Sequence, residues 1–178
     1  MTKVVEGIQV SEQQRLIEQH GLVPHPEGGF YAEVHRAKCR VQAGPQLPER
    51  SAYTSIHYLL AGDDFSAWHR IQSDETWFFH SGCDLVIYSF AENGQLHAQH
   101  LGAESGCFQL TIAARTWFAA QPAQADSCSF VSCVVAPGFE FEDFELGSRQ
   151  LLLASFGHSL ESRAKIEAFT RERHSIIC

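Results

Sequence analysis

The chain of 178 residues has no run of lysines or arginines, and its formal net charge is -8. Such a surface repels phosphate backbones and anionic headgroups, so neither nucleic acid nor a membrane is expected as a partner. An anionic small molecule stays open, because one or two arginines can gather in a pocket. No apolar stretch approaches the roughly 20 residues needed to span a bilayer. The opening MTKVVEGIQVSEQQRLIEQ has neither the apolar core nor the small-residue cleavage site of a secretory signal. The six cysteines contain no CxxC pair, so free thiols and a cytoplasmic location are expected. No serine or cysteine stands in a nucleophile elbow or triad context. Gly28-Gly29 is too short for a phosphate-binding loop and leads into an extended segment instead of a helix.

What the chain does have is an ordinary globular balance, 44% apolar and 19% charged, in a length that suits one domain. SEQQRLIEQHGL reads as a helix over about 11–20. Ser11 with Gln14 forms a capping box, Gly21 is the stop, and Leu16 and Ile17 supply the buried stripe. The turn PHPEGG and the extended FYAEVHRA follow, then a loop over 43–49 that carries two prolines. From Ser51 the pattern changes to short apolar or alternating runs separated by turn residues. Strands are expected near 51–60, 65–71, 75–80, 84–90, 95–101, 107–112, 116–120, 128–135 and 150–156, with Asn93-Gly94 as a hairpin turn. FEFEDFE, 139–145, reads as a strand with one wet face, or as an acidic strip able to hold a cation. A closing helix near 160–172 has Leu160, Ala164, Ile166 and Phe169 available for one face. So many short strands at this spacing argue for an all-β sandwich or barrel.

Residues 62–82, GDDFSAWHRIQSDETWFFHSG, set His69, Ile71 and Glu75 at near-alternate strand positions ahead of Gly82. This resembles the first cupin motif, in which two histidines one residue apart precede a glutamate and a closing glycine. Ile71 stands where the second histidine would be. Ala113 to Phe118 is a degraded counterpart of the second motif, with Phe118 in place of its histidine. Together with PHPEGGFYAEVHR, RSAYTSIHYLL, RTWFAA and VVAPGFEFEDFELG, the window resembles the cupin-5 branch, small cupins of unknown biochemical role. The likeness runs from about Leu16 to Arg171. It implies a double-stranded β-helix, or jelly-roll barrel, over about 28–157, flanked by short N-terminal and C-terminal helices. It further implies a single domain over 1–178, a homodimer and one pocket per barrel.

Of the usual four cupin metal positions only His69 and Glu75 carry donor atoms, so no metal or other cofactor is expected. A weakly held divalent cation at those two residues is the lesser reading. His35, His57 and His80 are conceivable substitutes, and each reads more simply as a surface or hydrogen-bonded histidine. A histidine beside a carboxylate is an acid/base unit, so His69 and Glu75 are the expected catalytic pair, with Tyr58 as the acid. If 51–60 and 65–71 form a hairpin turning at Gly62-Asp63, then Thr54, Ile56 and Tyr58 share the His69 face. A loop one residue longer brings His57 inward instead. Trp77 and Phe118, in phase with Glu75 and the lost histidine, are expected to line the cavity with Ile71, and Glu33 to reach its mouth.

Three functions follow as expectations. The first is a metal-independent isomerase or epimerase acting on a small polar molecule such as a sugar derivative. The second is a cupin that binds such a ligand without turnover. The third is a metal-dependent cupin enzyme with an incomplete ligand set.

Overall fold

A computed structural model describes residues 11–171 of the chain. Helix α1 spans Glu12–His20 as its caps predict. The Ser11 side chain accepts from the Gln14 backbone N–H at 3.2 Å, and Gly21, at φ 61°, returns its N–H to the Ile17 carbonyl. Leu16 is buried and Ile17 half-buried.

The strands follow in the order β1 (Val23–Pro24), β2 (Phe30–Arg36), β3 (Arg40–Val41), β4 (Arg50–Ser51), β5 (Thr54–Ala61), β6 (Ser66–Arg70), β7 (Asp74–Gly82), β8 (Leu85–Phe90), β9 (Leu96–Leu101), β10 (Gln109–Ile112), β11 (Phe118–Pro122), β12 (Cys128–Ala136) and β13 (Glu145–Leu146). Helices α2 (Arg149–Phe156) and α3 (Leu160–Ala168) come after them. Two antiparallel sheets form the barrel, one ordered β1-β2-β5-β12-β7-β10 and the other β13-β6-β11-β8-β9, while β3 and β4 make a small separate pair. Sheet neighbours such as β5 with β12 and β6 with β11 are distant in sequence. That long-range pairing is the double-stranded β-helix which the resemblance implies.

Alternation along the strands sorts side chains into three apolar layers. Inside, Tyr58, Leu60, Trp77, Ile87 and Phe118 pack between the two sheets. Outside the five-stranded sheet, Trp68, Phe90 and Trp117 are covered by Leu152 of α2 and Ile166 of α3. On the outer face of the other sheet, Leu16 and Leu22 cover Leu59 and Phe130. Because β6 is covered on both faces, Trp68 faces the helices while His69, next in sequence, faces the barrel interior.

Four expectations need correction. The segment 150–156 is not a strand but most of α2, since an apolar run such as LLLASF has no period to separate strand from helix. Ser148 caps it by accepting from the Leu151 N–H. In the last helix the buried face is Ser162 and Ile166, continued by Phe169, while Leu160 and Ala164 are exposed. FEFEDFE is neither a wet-faced strand nor a free acidic strip. Phe141–Asp143 makes one 3-10 turn, and its acids pair with the protein's own arginines. Finally, β5 and β6 are not a hairpin: they leave the Gly62-Asp63 turn into different sheets. Thr54, Ile56 and Tyr58 do share a cavity with His69, but they face it across the barrel.

Two glycines separate backbone demand from mere turn chemistry. Gly82 has φ 95°, and a Cβ there would collide with the Cys128 carbonyl, whereas Gly106, at φ 70°, opens onto free space. Gly106→Ala should therefore cost about 1 kcal/mol from conformation alone, and Gly82→Ala at least ~2 kcal/mol more. In thermal denaturation the gap should appear as a melting temperature lower by ~5 °C or more for Gly82→Ala; equal melting temperatures would refute the steric argument.

Candidate functional site

The site begins at the turn PHPEGG. Gly28 at φ 119° and Gly29 at φ 67° let the chain lie flat against its neighbours: a Cβ on Gly28 would strike the Phe65 carbonyl, and one on Gly29 would come within 2.6 Å of the Leu59 carbonyl. Three hydrogen bonds pin the turn there. The Ala67 N–H donates to the Glu27 carbonyl at 2.8 Å, the Gly29 N–H to Asp64 Oδ2 at 2.8 Å, and the Tyr58 hydroxyl to the Gly28 carbonyl at 2.8 Å. The outcome is a buried carboxyl, Glu27, that sequence reasoning missed.

Glu27 is the centre of a polar cluster. Ser66 Oγ donates to its Oε1 at 2.9 Å, and His69 Nε2 lies 3.2 Å from its Oε2. His69 Nδ1 is 2.8 Å from the Ala67 carbonyl, which can only accept, so this nitrogen carries a hydrogen. Nε2 therefore meets the carboxyl with a single proton available to the pair. Without that proton, two lone pairs would face each other across 3.2 Å. His25 differs. Its Nδ1 accepts from the Glu27 backbone N–H at 3.3 Å, and burial lowers its pKa, outweighing the nearby Glu27 carboxyl. Its 3.5 Å approach to Glu27 Oε2 is thus the contact of a neutral ring and not an ion pair.

The structure does not pair His69 with Glu75, as expected from sequence; Glu27 takes that place. Glu75 lines the same cavity from β7, in the opposite sheet, and is itself buried. Burial first, and the Glu27 carboxyl second, push its pKa up to about 8. The Trp77 indole and the Cys133 thiol beside it pull the other way. Trp77 Nε1 is fully buried yet has no hydrogen-bond partner among the described residues: it is near Glu75 without the geometry of a bond.

Tyr58 also lines the cavity, but its role as acid needs correction. Its proton is committed to Gly28, and burial, with Glu27 next, raises its pKa well above the ordinary phenol value. It serves as a support of the turn. Thr54, Ile56, Ile71 and Trp77 line the cavity as anticipated. Thr54 Oγ1 accepts from the Phe139 N–H at 2.9 Å. Phe118 does not line it. Its ring lies behind His69, centroids 4.0 Å apart, because Phe118 and His69 are opposite partners on β11 and β6. Glu33 is at the mouth, but bound to Arg36 at 2.8 Å. His57 and His80 lie together on the outer sheet face with Phe130, away from the cavity, and His35 stacks on Tyr53.

The roof comes from the FEFEDFE segment. Phe139, Phe141 and Phe144 cover the cavity while Arg36 holds Glu140 at 2.6 Å and Arg50 holds Asp143 at 2.8 Å. The signal for Glu27 was present in sequence: an acid followed by two glycines marks a backbone lying close to its surroundings. The roof had none, since aromatic-acidic alternation fits an edge strand equally well. The enclosed volume is about 130 Å³. A cavity of about 150 Å³ accommodates benzene, so this one suits a guest of roughly six to eight non-hydrogen atoms.

The donor set does not fit a cupin metal centre. Ile71 and Phe118 offer only carbon at two of the four positions. Among the described residues no three His, Cys, Asp or Glu side chains are placed to hold an ion.

A sequence model described as Cupin superfamily (DUF985) matches residues 14–147. Among solved structures, a hypothetical protein from Leishmania major is 30% identical, covering 89% of this chain and 98% of its own, with a TM-score of 0.80. A protein from Shewanella oneidensis is 33% identical over 91% of this chain and 99% of its own, with a TM-score of 0.79. Oxalate decarboxylase from Bacillus subtilis, 14% identical over 84% of this chain and 39% of its own, with a TM-score of 0.53, shares the fold alone. No curated protein matches the chain.

Glu75 makes stability depend on pH. The native carboxyl holds its proton to about pH 8, whereas the unfolded one releases it near its ordinary 4.5. Its contribution is thus complete below pH 4.5 and is lost as pH rises toward 8. Relative to Glu75→Gln, the wild type should lose up to about 1.4 kcal/mol per pH unit across that window. Urea unfolding at pH 5, 6.5 and 8 measures the difference, and parallel curves for the two proteins would contradict a buried, protonated Glu75.

Proposed function

The chain belongs to the DUF985 family of the cupin superfamily, and from that membership and its cavity we propose a small-molecule-binding cupin that moves protons on a carbonyl compound without a metal. The observation that carries this reading is the pairing of Glu27 and His69 in one cavity with Glu75, a neutral carboxyl from the opposite sheet. Two proton carriers with unlike environments divide into a base and an acid.

The Glu27–His69 pair in its unprotonated form takes a proton from the carbon next to the carbonyl, which relieves the opposed lone pairs. The C–H electrons form the C=C bond, and the carbonyl oxygen receives the Glu75 proton, giving an enol. Return of protons to the other carbon or the other face yields an isomer or epimer. The protonated form of Glu75 suits this step, because a carboxylate could not donate. A ligand of roughly six to eight non-hydrogen atoms is the size of a triose or tetrose. Binding without turnover is the second reading, favoured by Glu27 already having Ser66 and His69 as partners.

Incubation with aldoses and ketoses in D2O, followed by proton NMR, tests the proposal. The wild type should wash deuterium into the carbon beside the carbonyl. His69→Gln should slow this by ~10²- to 10⁴-fold while remaining folded. Saturable binding with no exchange would favour the non-catalytic reading, and unchanged exchange in folded His69→Gln would eliminate the base assigned here.

A further inference from the structure

The charge of the ligand can be read from the cavity walls. Glu27, Glu33 and Glu140 contribute carboxyl groups, and among the described lining residues Arg36 is the one lysine or arginine. That arginine is already engaged at every nitrogen. Nε donates to Glu33 at 3.1 Å, Nη2 to Glu33 at 2.8 Å and to the Phe139 carbonyl at 3.2 Å, and Nη1 to Glu140 at 2.6 Å. An entering anion would find no free guanidinium and an excess of negative charge at the mouth.

The same mouth is walled by π-systems. His25 meets Tyr31 edge-on at 4.6 Å and stacks with Phe141 at 6.1 Å, while Phe139 meets Phe141 edge-on at 5.1 Å and Phe144 lies 6.4 Å from Phe141. Aromatic faces attract a cation that has shed part of its water, and carboxylates beside them add to that attraction. His25 contributes as a neutral ring, because its Nδ1 accepts from the Glu27 N–H.

We infer that the cavity selects an ammonium-bearing small molecule over its neutral and anionic counterparts, the aromatic mouth and its surplus carboxylates forming the cation-binding wall. The inference deepens the proposed function by giving its substrate a charge, and it relies on that reading only for where the ligand sits. The ammonium lies under the roof near Glu33 and Glu140, leaving the rest of the ligand between Glu75 and the Glu27–His69 pair.

Matched triples of one skeleton carrying an ammonium, no charge or a carboxylate test this by ligand-observed NMR titration on the full chain. Suitable sets are benzylamine, benzyl alcohol and benzoate, and glucosamine, glucose and glucuronate. In at least one triple the ammonium should bind ~10-fold or more tightly than the carboxylate. The double variant Glu33→Gln/Glu140→Gln, which frees Arg36, should shrink or reverse that ratio. Arg36→Gln should widen it, and provides the check if the double variant does not fold. A carboxylate that binds as well as its ammonium counterpart, or no binding by any probe up to ~10 mM, would overturn the inference. Deuterium exchange without an ammonium preference would sink this inference and keep the proton-transfer reading; ammonium preference without exchange would do the opposite.

Discussion

The contact between Glu27 Oε2 and His69 Nε2 organises this molecule's interior. It needs an acid from a loop and an imidazole from a strand at 3.2 Å, both shielded from water. Neither residue arrives there alone. Glu27 is carried in by a turn that only glycine can complete, and the turn is held by the backbone of β6 and the hydroxyl of Tyr58. His69 is aimed by the Ala67 carbonyl on one side and backed by the Phe118 ring on the other. A buried carboxyl and imidazole that lacked each other would each be costly to desolvate. The surrounding hydrogen bonds make the arrangement tolerable, and they also define which atoms can hold a proton.

Glu75 shows how the same residue type takes a different role on strand β7 from the one Glu27 takes in the turn between β1 and β2. It is buried like Glu27, but among the described residues no histidine or serine hydroxyl bonds to it, so solvation loss dominates and the neutral acid persists to about pH 8. Where a metal-binding cupin would place imidazoles, this chain has Ile71 and Phe118. The barrel is retained, while two of the four donor positions carry only carbon.

Much of the barrel was legible in the sequence, because most of its strands are short apolar or alternating runs bounded by glycine or asparagine turns. The strands from β5 to β12 emerge within a few residues of their expected limits. The exceptions share a cause: where a segment has no alternation, as in LLLASF, or has alternation that serves two surfaces, as in FEFEDFE, periodicity does not identify its fate. Pairing was less legible than existence. Treating β5 and β6 as a hairpin was reasonable for neighbours joined by a tight turn, yet a jelly roll sends them to separate sheets. For the site, His69, Glu75, Ile71 and Trp77 follow from strand phase, whereas the partner of His69 lies in an irregular turn over forty residues upstream. No periodic rule reaches across that gap. Phe118 was misplaced because the phase argument located its strand face but not the histidine ring standing in front of it.

The roof over the cavity is fastened mainly through charge. Arg36 and Arg50 grip Glu140, Glu142 and Asp143, and the rings of Phe139 and Phe144 rest on the opening these pairs define. Ion pairs near a surface weaken as mobile salt accumulates, whereas apolar contacts do not. In concentrated salt the roof is therefore held less by these pairs and more by the ring contacts of Phe139 and Phe144.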